Sequence, residues 1–252
     1  MKKKLFLPLL LLMTILLTTP VFAADKGMKF PVRFPGIKGV AESDARWEST
    51  TYIMDVLFPG AIKAKSPLTY AGKVYIPKSL FKNGGYLMIC VDYVMYNKEN
   101  GEEYTSYGEV NHRDWITIGR DASEKEVAIG IIDDKTGKSG AIGNKGSFKS
   151  VGSYYVLNFK NLRSMATYTK YGAKKNQEGL PIVTNKALYP MLNVIFHADF
   201  PKTVSGTIYI DQISVTGAKT LTASFEKQDW LFMDGRRSWS KVIPSVGNVP
   251  TK

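Results

Sequence analysis

The chain has 252 residues and a formal net charge of +12, with one cysteine and two histidines. A single cysteine excludes an internal disulfide, and two histidines are too few for an ordinary catalytic zinc site unless carboxylates join them. The basic residues are spread along the chain, mostly as lysines in turn sequences, which favours a solvated basic surface over a nucleic-acid site.

The N-terminus has the pattern of a secretory signal peptide. A basic start, Lys2 to Lys4, precedes an apolar run from Leu5 to Leu17, and Val21-Phe22-Ala23 offers small or apolar residues at the cleavage position. The run is shorter than the ~20 residues that a membrane-spanning helix needs, so a retained anchor is the minor alternative. We predict a signal peptide over residues 1–23 and a secreted or extracytoplasmic monomer that meets no nucleic acid, and no membrane after signal removal.

The mature chain has the pattern of an all-β protein. Short runs rich in Val, Ile, Tyr and Phe recur between Gly, Asn, Asp and Lys clusters, whereas helical periodicity is almost absent. The spacing predicts a two-sheet antiparallel β-sandwich of jelly-roll type over residues 24–240, followed by a frayed tail over 241–252. The predicted strands are Tyr52–Phe58, Gly72–Ile76, Tyr86–Tyr96, Trp115–Gly119, Val127–Ile132, Tyr154–Phe159, Met191–Phe196, Thr207–Val215 and Thr220–Phe225.

The strand from Gly206 to Gly217 carries one carboxylate, Asp211, on a face that should be apolar. Strand alternation places Tyr209, Asp211, Ile213 and Val215 on one face, and Ile208, Ile210, Gln212 and Ser214 on the other. A buried carboxylate needs backbone donors, a basic partner or a metal.

Alternation also predicts an outward tryptophan. If Ile116 and Ile118 point to the core, Trp115 stands on the outer face of its sheet, and Asn193 and His197 are candidates for the same surface. An indole beside an amide and an imidazole suits a sugar, because the ring covers the apolar face of a pyranose while polar groups bind its hydroxyls. The alternative is that Trp115 fills the core or a sheet edge.

Three further candidates come from loops. Trp47 lies in a polar segment just before a predicted strand and is a second stacking candidate. Arg113, two residues before Trp115, is a ligand contact or an ion-pair partner. Tyr107 widens an aromatic rim or belongs to a turn.

The strand Ile208-Tyr-Ile-Asp-Gln-Ile-Ser-Val215 resembles the last strand of β-sandwich carbohydrate-binding modules, with the mannan-binding modules of secreted mannanases as the nearest kind. Ser224-Phe225-Glu226 resembles their opening strand, although it follows the Asp211 strand here, so residues 220–240 are a permuted first strand or a truncated second module. The resemblance implies a structural Ca²⁺ with Asp211 and Glu226 as oxygen ligands. The alternative is a carboxylate that accepts hydrogen bonds from loop amides.

Carboxylate pairs for catalysis are not evident in the sequence. Glu102-Glu103 and Asp133-Asp134 are adjacent and would face opposite ways on a strand, and Asp55 and Asp92 are isolated strand acids. We therefore expect a non-catalytic protein that binds a β-linked plant polysaccharide such as mannan or glucomannan. The alternative is a small polysaccharide lyase, for which Arg113, His197 and Tyr107 are candidates, or a glycoside hydrolase.

Overall fold

The computed structural model describes residues 25–37, 49–58, 60–61, 68–96, 103–106, 114–120, 123–125, 127–133, 138–139, 147–163, 168–170, 189–216, 220–223, 225, 231–232 and 245–251. The predicted signal peptide lies outside these residues. Among the described residues, no helix is long and apolar enough to cross a membrane.

The described chain forms sixteen strands and one 3-10 turn, Lys78–Phe81. The strands are β1 (Lys26–Phe34), β2 (Thr51–Leu57), β3 (Leu68–Pro77), β4 (Gly85–Tyr96), β5 (Glu103–Ser106), β6 (Asp114–Arg120), β7 (Ala128–Asp133), β8 (Lys138–Ser139), β9 (Ser147–Val151), β10 (Tyr154–Arg163), β11 (Tyr168–Lys170), β12 (Tyr189–Asp199), β13 (Val204–Thr216), β14 (Thr220–Ala223), β15 (Leu231–Phe232) and β16 (Ser245–Asn248).

These strands make two antiparallel sheets that pack face to face. The seven-stranded sheet has the order β16-β1-β13-β3-β10-β9, with β14 also beside β13. The nine-stranded sheet has the order β15-β2-β12-β4-β6-β7-β8, with β5 on β4 and β11 on β5. The predicted all-β, two-sheet antiparallel sandwich is therefore confirmed.

The pairing is nested along the chain. β1 pairs with β13, β2 with β12 and β3 with β10, and successive pairs fall in the seven-stranded, nine-stranded and seven-stranded sheets. The opening strands therefore cross between the sheets at every connection, and each meets a partner from the later part of the chain.

Aromatic side chains join the two sheets at the core. Phe30 on β1 contacts Phe196 on β12, with ring centroids 5.2 Å apart. Phe34 meets Tyr52 of β2 edge to face at the same distance. Burying one such side chain is worth roughly 1.5–3 kcal/mol, and edge or tilted ring pairs add about 0.5–1.5 kcal/mol.

Both ends of the described chain pair with each other, which the sequence analysis did not predict. β1 alternates regularly, with Met28, Phe30, Val32 and Phe34 all buried in the core. The frayed tail was predicted over 241–252, whereas Ser245–Asn248 forms β16 beside the start of β1. β14 forms a hairpin with β13 and continues the edge that β1 occupies, since β1 pairs with residues 204–210 of β13 and β14 with residues 213–216.

A bulge in β13 corrects the predicted faces of that strand. The register with β3 shifts between Asp211 and Ser214, and Gln212 has a φ of 52°, in the left-handed region. The extra residue switches the alternation, so Ile208 and Ile210 share the core with Ile213 and Val215. The prediction that these two pairs of residues face opposite ways is wrong.

Candidate functional site

Tyrosines cluster on the outer face of the seven-stranded sheet. Tyr75, Tyr154 and Tyr209 come from the adjacent strands β3, β10 and β13, and they pack with Val151, Val156 and Val249 in a cluster separate from the main core. Each is placed outward by alternation: Tyr75, for example, lies between the core residues Val74 and Ile76. We call this surface, defined by the three tyrosines and the three valines, the tyrosine face.

One register row of the sheet crosses the tyrosine face. Its members are Cα partners on neighbouring strands and are, in order, Lys29 of β1, Tyr209 of β13, Tyr75 of β3, Val156 of β10 and Lys149 of β9. The row covers four strand spacings, which is about 19 Å between the Cα atoms of Lys29 and Lys149. Two aromatic residues thus lie within this row, with Lys29 on one side and Lys149 on the other, and beyond Lys29 the row continues to Ser245 on β16.

The tyrosines differ in how far they reach solvent. Tyr75 is only 7% exposed, whereas Tyr154 and Tyr209 are half-buried. The rings of Tyr154 and Tyr209 meet edge to face with centroids 5.8 Å apart. These two side chains are therefore fixed by contacts and still present ring surface to a ligand.

The C-terminal residues cover part of the surface. Val249 is 4% exposed, and its N–H donates to the carbonyl of Asp25 at 2.9 Å. Its side chain occupies the space beside Gly27, where a Cβ would lie 2.6 Å from Cγ1 of Val249 and 2.9 Å from the carbonyl oxygen of Ile210. Gly27 is thus required for the close approach of Val249 to the sheet.

The pKa values of Tyr75 and Tyr154 are raised above the ordinary value for tyrosine. Burial raises the pKa of Tyr75 above its ordinary 10.0, and the carboxylates of Asp211 and Asp25 raise it further. Burial also raises the pKa of Tyr154, with smaller effects from the nearby Tyr209 and from a hydrogen bond to its side chain. Both hydroxyls are protonated at neutral pH, as an ordinary tyrosine is, and the upward shifts extend that protonated range to more alkaline pH.

Asp211 lies beside the tyrosine face and is 2% exposed. Its Oδ1 accepts a hydrogen bond of 2.6 Å from the backbone N–H of Gln212, and Lys73 is its Cα partner on β3. This carboxylate therefore has a backbone donor within the bulge of β13.

The predicted calcium ligands include one residue outside the described part of the chain, Glu226. Ca²⁺ takes six to eight oxygen ligands, and the described residues contain no group of three or more His, Cys, Asp or Glu side chains that could hold a metal ion. Of the two predicted ligands only Asp211 is placed, in the interior of a sheet. The calcium site stays a prediction.

The predicted sugar-binding residues are placed only in part. Trp47, Tyr107 and Arg113 lie outside the described residues. Trp115 is at a register position between Cys90 of β4 and Ile132 of β7, and its neighbours Ile116 and Ile118 are in the core as predicted. Asn193 on β12 is the Cα partner of Asp55 on one side and Asp92 on the other.

His197 is buried, at 3% exposure. Its Nδ1 lies 3.0 Å from the Thr51 hydroxyl and 3.2 Å from the Thr50 hydroxyl. The imidazole is thus positioned by two hydroxyl groups at the start of β2. Its predicted contact with a ligand stays a prediction.

The tyrosine face was missed from the sequence, although a signal for it exists. Tyr75 and Tyr209 each stand between two aliphatic residues that are buried in the core, in Val74-Tyr75-Ile76 and Ile208-Tyr209-Ile210. If each tyrosine is assigned to the outer face of its strand and the two strands are paired, the two tyrosines are predicted to be cross-strand neighbours.

Comparisons with protein-family models, with curated proteins and with solved structures found no match to this chain. The resemblance to carbohydrate-binding modules therefore rests on the sequence motif alone.

Proposed function

We propose that this protein is a non-catalytic carbohydrate-binding protein whose site is the tyrosine face. The observation that carries the proposal is the set of three tyrosines on adjacent strands, outside the core of the sandwich. Aromatic rings cover the apolar C–H face of a pyranose, and phenol hydroxyls that keep their protons donate to its hydroxyl groups.

The rigidity of the surface supports the same function. The tyrosines belong to β3, β10 and β13, which lie inside the strand order of their sheet and are paired on both sides. Little side-chain freedom is then lost on binding, which lowers the entropic cost of association. The nested strand pairing also supports the jelly-roll interpretation. A secreted protein that binds a β-linked plant polysaccharide such as mannan or glucomannan remains the expectation from the sequence resemblance.

Affinity electrophoresis of the mature protein through gels with soluble glycans tests the proposal. Sites of this open kind bind with Kd values of order µM to mM. Tyr209→Ala should weaken binding roughly tenfold, because a stacking contact of about 1.4 kcal/mol is lost. Tyr189→Ala, at a half-buried tyrosine of the other sheet, is the matched control. The proposal would be refuted if no glycan slows the migration of the protein, or if Tyr209→Ala and Tyr189→Ala lose glycan affinity equally.

One observation favours a glycoside hydrolase or polysaccharide lyase as the second candidate. Asp55, Asn193 and Asp92 form one register row on three adjacent strands of the nine-stranded sheet, at positions that alternate with core residues. The Cα atoms of the two acids are two strand spacings, about 9.5 Å, apart, which is comparable to the ~6.5–9.5 Å carboxyl separation of inverting hydrolases. Release of reducing ends or unsaturated products that Asp92→Asn abolishes would support this candidate. If the protein degrades none of a panel of polysaccharides, the hydrolase or lyase candidate is excluded.

A further inference from the structure

The tyrosine face lies among basic residues. We propose, resting on the carbohydrate-binding function above, that the ligand is an acidic polysaccharide whose chain crosses the strands along the row from Lys29 to Lys149. Ligands of this class are sugar polymers that carry repeated anionic groups.

The charges on this side of the sheet are mostly positive. Lys29 and Arg33 of β1, Lys73 of β3 and Lys149 of β9 share the outward register positions with the tyrosines, and none of them is buried. The acids on the same side are Asp211 and Asp25. Asp25 is exposed, whereas Asp211 presents almost no surface to solvent at 2% exposure. Among the described residues, four basic side chains therefore face one exposed acid on the part that a polymer would touch.

Lys29 is positioned by its neighbour on β16. A Cβ on Gly247 would lie 2.9 Å from Cδ of Lys29, so the lysine stem passes over a residue that has no side chain. Long side chains packed in this way keep their charged end in water while the stem covers the protein. Lys29 thus lies beside the aromatic row on β1, with its stem against β16.

The length of the row selects a polymer. The Cα atoms of the two lysines are about 19 Å apart, so one sugar unit cannot contact both, whereas an oligosaccharide laid across the half-buried ring of Tyr209 can.

A single-stranded nucleic acid also combines negative charge with stacking on aromatic side chains. We favour the polysaccharide because the leader sequence predicts export, and an exported protein meets sugar polymers rather than nucleic acid. The nucleic acid enters the test as a competing outcome.

The test uses two polymers with the same backbone. Polygalacturonate carries a carboxylate on each unit, and its methyl ester does not. We expect the mature protein to bind polygalacturonate at least tenfold more tightly at low salt, with the difference shrinking at a few hundred mM salt as exposed charges are screened. Dextran sulfate and dextran form a second pair that distinguishes sulfate from carboxylate.

Variants separate charge from stacking. The double change Lys29→Gln and Lys149→Gln should weaken polygalacturonate binding about tenfold and leave the methyl ester unaffected. Tyr209→Ala should weaken both. Lys202→Gln, at an exposed lysine outside the row, is the matched control and should change neither. Thermal melts of each variant verify that it is folded.

The outcomes are distinct. Equal affinity for the two polymers, or a double variant that behaves as the Lys202→Gln control does, would overturn the acidic-ligand inference and leave the carbohydrate-binding function intact. Tighter binding of a single-stranded oligonucleotide than of polygalacturonate at the same salt would also overturn it. If no glycan binds at all, both the inference and the proposed function fail.

Discussion

The bulge in β13 predicts that the stability difference between glycine and alanine variants has opposite signs at residues 212 and 214. Gln212 is exposed and has a φ of 52°, whereas Ser214, the next residue paired with β3, lies in ordinary strand conformation. The experiment replaces each of these two residues by alanine and by glycine. Alanine removes the side chain and keeps the Cβ, so the glycine–alanine difference reports the backbone conformation alone.

The expected magnitudes follow from the conformations. A Cβ in the left-handed region costs about 1–2 kcal/mol, and glycine loses about 0.5–1 kcal/mol through its freedom in the unfolded chain. At residue 212 glycine should therefore be more stable than alanine by about 0.5–1 kcal/mol. At residue 214 only the second effect operates, so alanine should be more stable than glycine by about 0.5–1 kcal/mol.

Urea unfolding of the four variants measures these differences. With equal m values, each difference is a shift of a few tenths of a molar in the midpoint. Alanine more stable than glycine at both positions would mean that Gln212 is not in the left-handed region. The reasoning that assigns Ile213 and Val215 to the core through the bulge would then fail.

Two further predictions concern the core and the tyrosine face. Phe196→Ala should lower the free energy of unfolding by about 3–5 kcal/mol, since its buried ring contacts Phe30 of the opposite sheet. The control, Ser205→Ala at an exposed strand position, should change the free energy of unfolding by less than about 0.5 kcal/mol. Denaturant unfolding that shows similar losses for both variants would contradict this packing. The second prediction follows from the raised pKa of Tyr75. The unfolded chain releases this phenol proton near pH 10, while the folded state still holds it. The contribution of Tyr75 to the free energy of unfolding is therefore complete below pH 10 and is lost as the pH rises toward the pKa of the folded state. Tyr75→Phe should lose that dependence, and unfolding curves collected across alkaline pH would show parallel stability losses for both proteins if the prediction is wrong.

The sequence located many of the strands, because period-2 alternation and turn residues are local signals. All nine predicted strands overlap observed ones. β1 was missed although it alternates as clearly as any other strand. Pro31 interrupts its run, and a proline argues against a central strand. It is tolerated because β16 pairs only with residues 26–29, so one side of β1 is an edge at Pro31.

The faces of β13 could not be predicted from alternation. A bulge depends on the pairing with β3, and one inserted residue moves every later side chain to the other face. The sequence around Gln212 gives little warning, since neither glycine nor asparagine marks the left-handed position. Asp211 gives a partial signal, because its short carboxylate reaches the backbone N–H of the bulged residue at 2.6 Å.

The candidate site was harder to predict for a similar reason. Tryptophans attract attention as sugar platforms, whereas tyrosines in strands are ordinary residues, and only the register shows that Tyr209 and Tyr75 are neighbours. The two lysines of the row are even less evident, because Lys29 and Lys149 are separated by more than a hundred residues of sequence. Their proximity to one aromatic row depends on the nested pairing of β1 with β13 and β3 with β10.

The same bulge also shapes the edge of the tyrosine face. Before it, outward positions of β13 carry Tyr209 and Asp211; after it, the strand pairs with β14 instead of β1. The aromatic surface therefore ends near the start of β1, where Asp25 and Val249 join by a backbone hydrogen bond. A ligand that follows the row from Lys29 to Lys149 crosses the strands on the side of the bulge where the register is regular, and so meets a surface whose geometry is set by continuous backbone pairing rather than by loops.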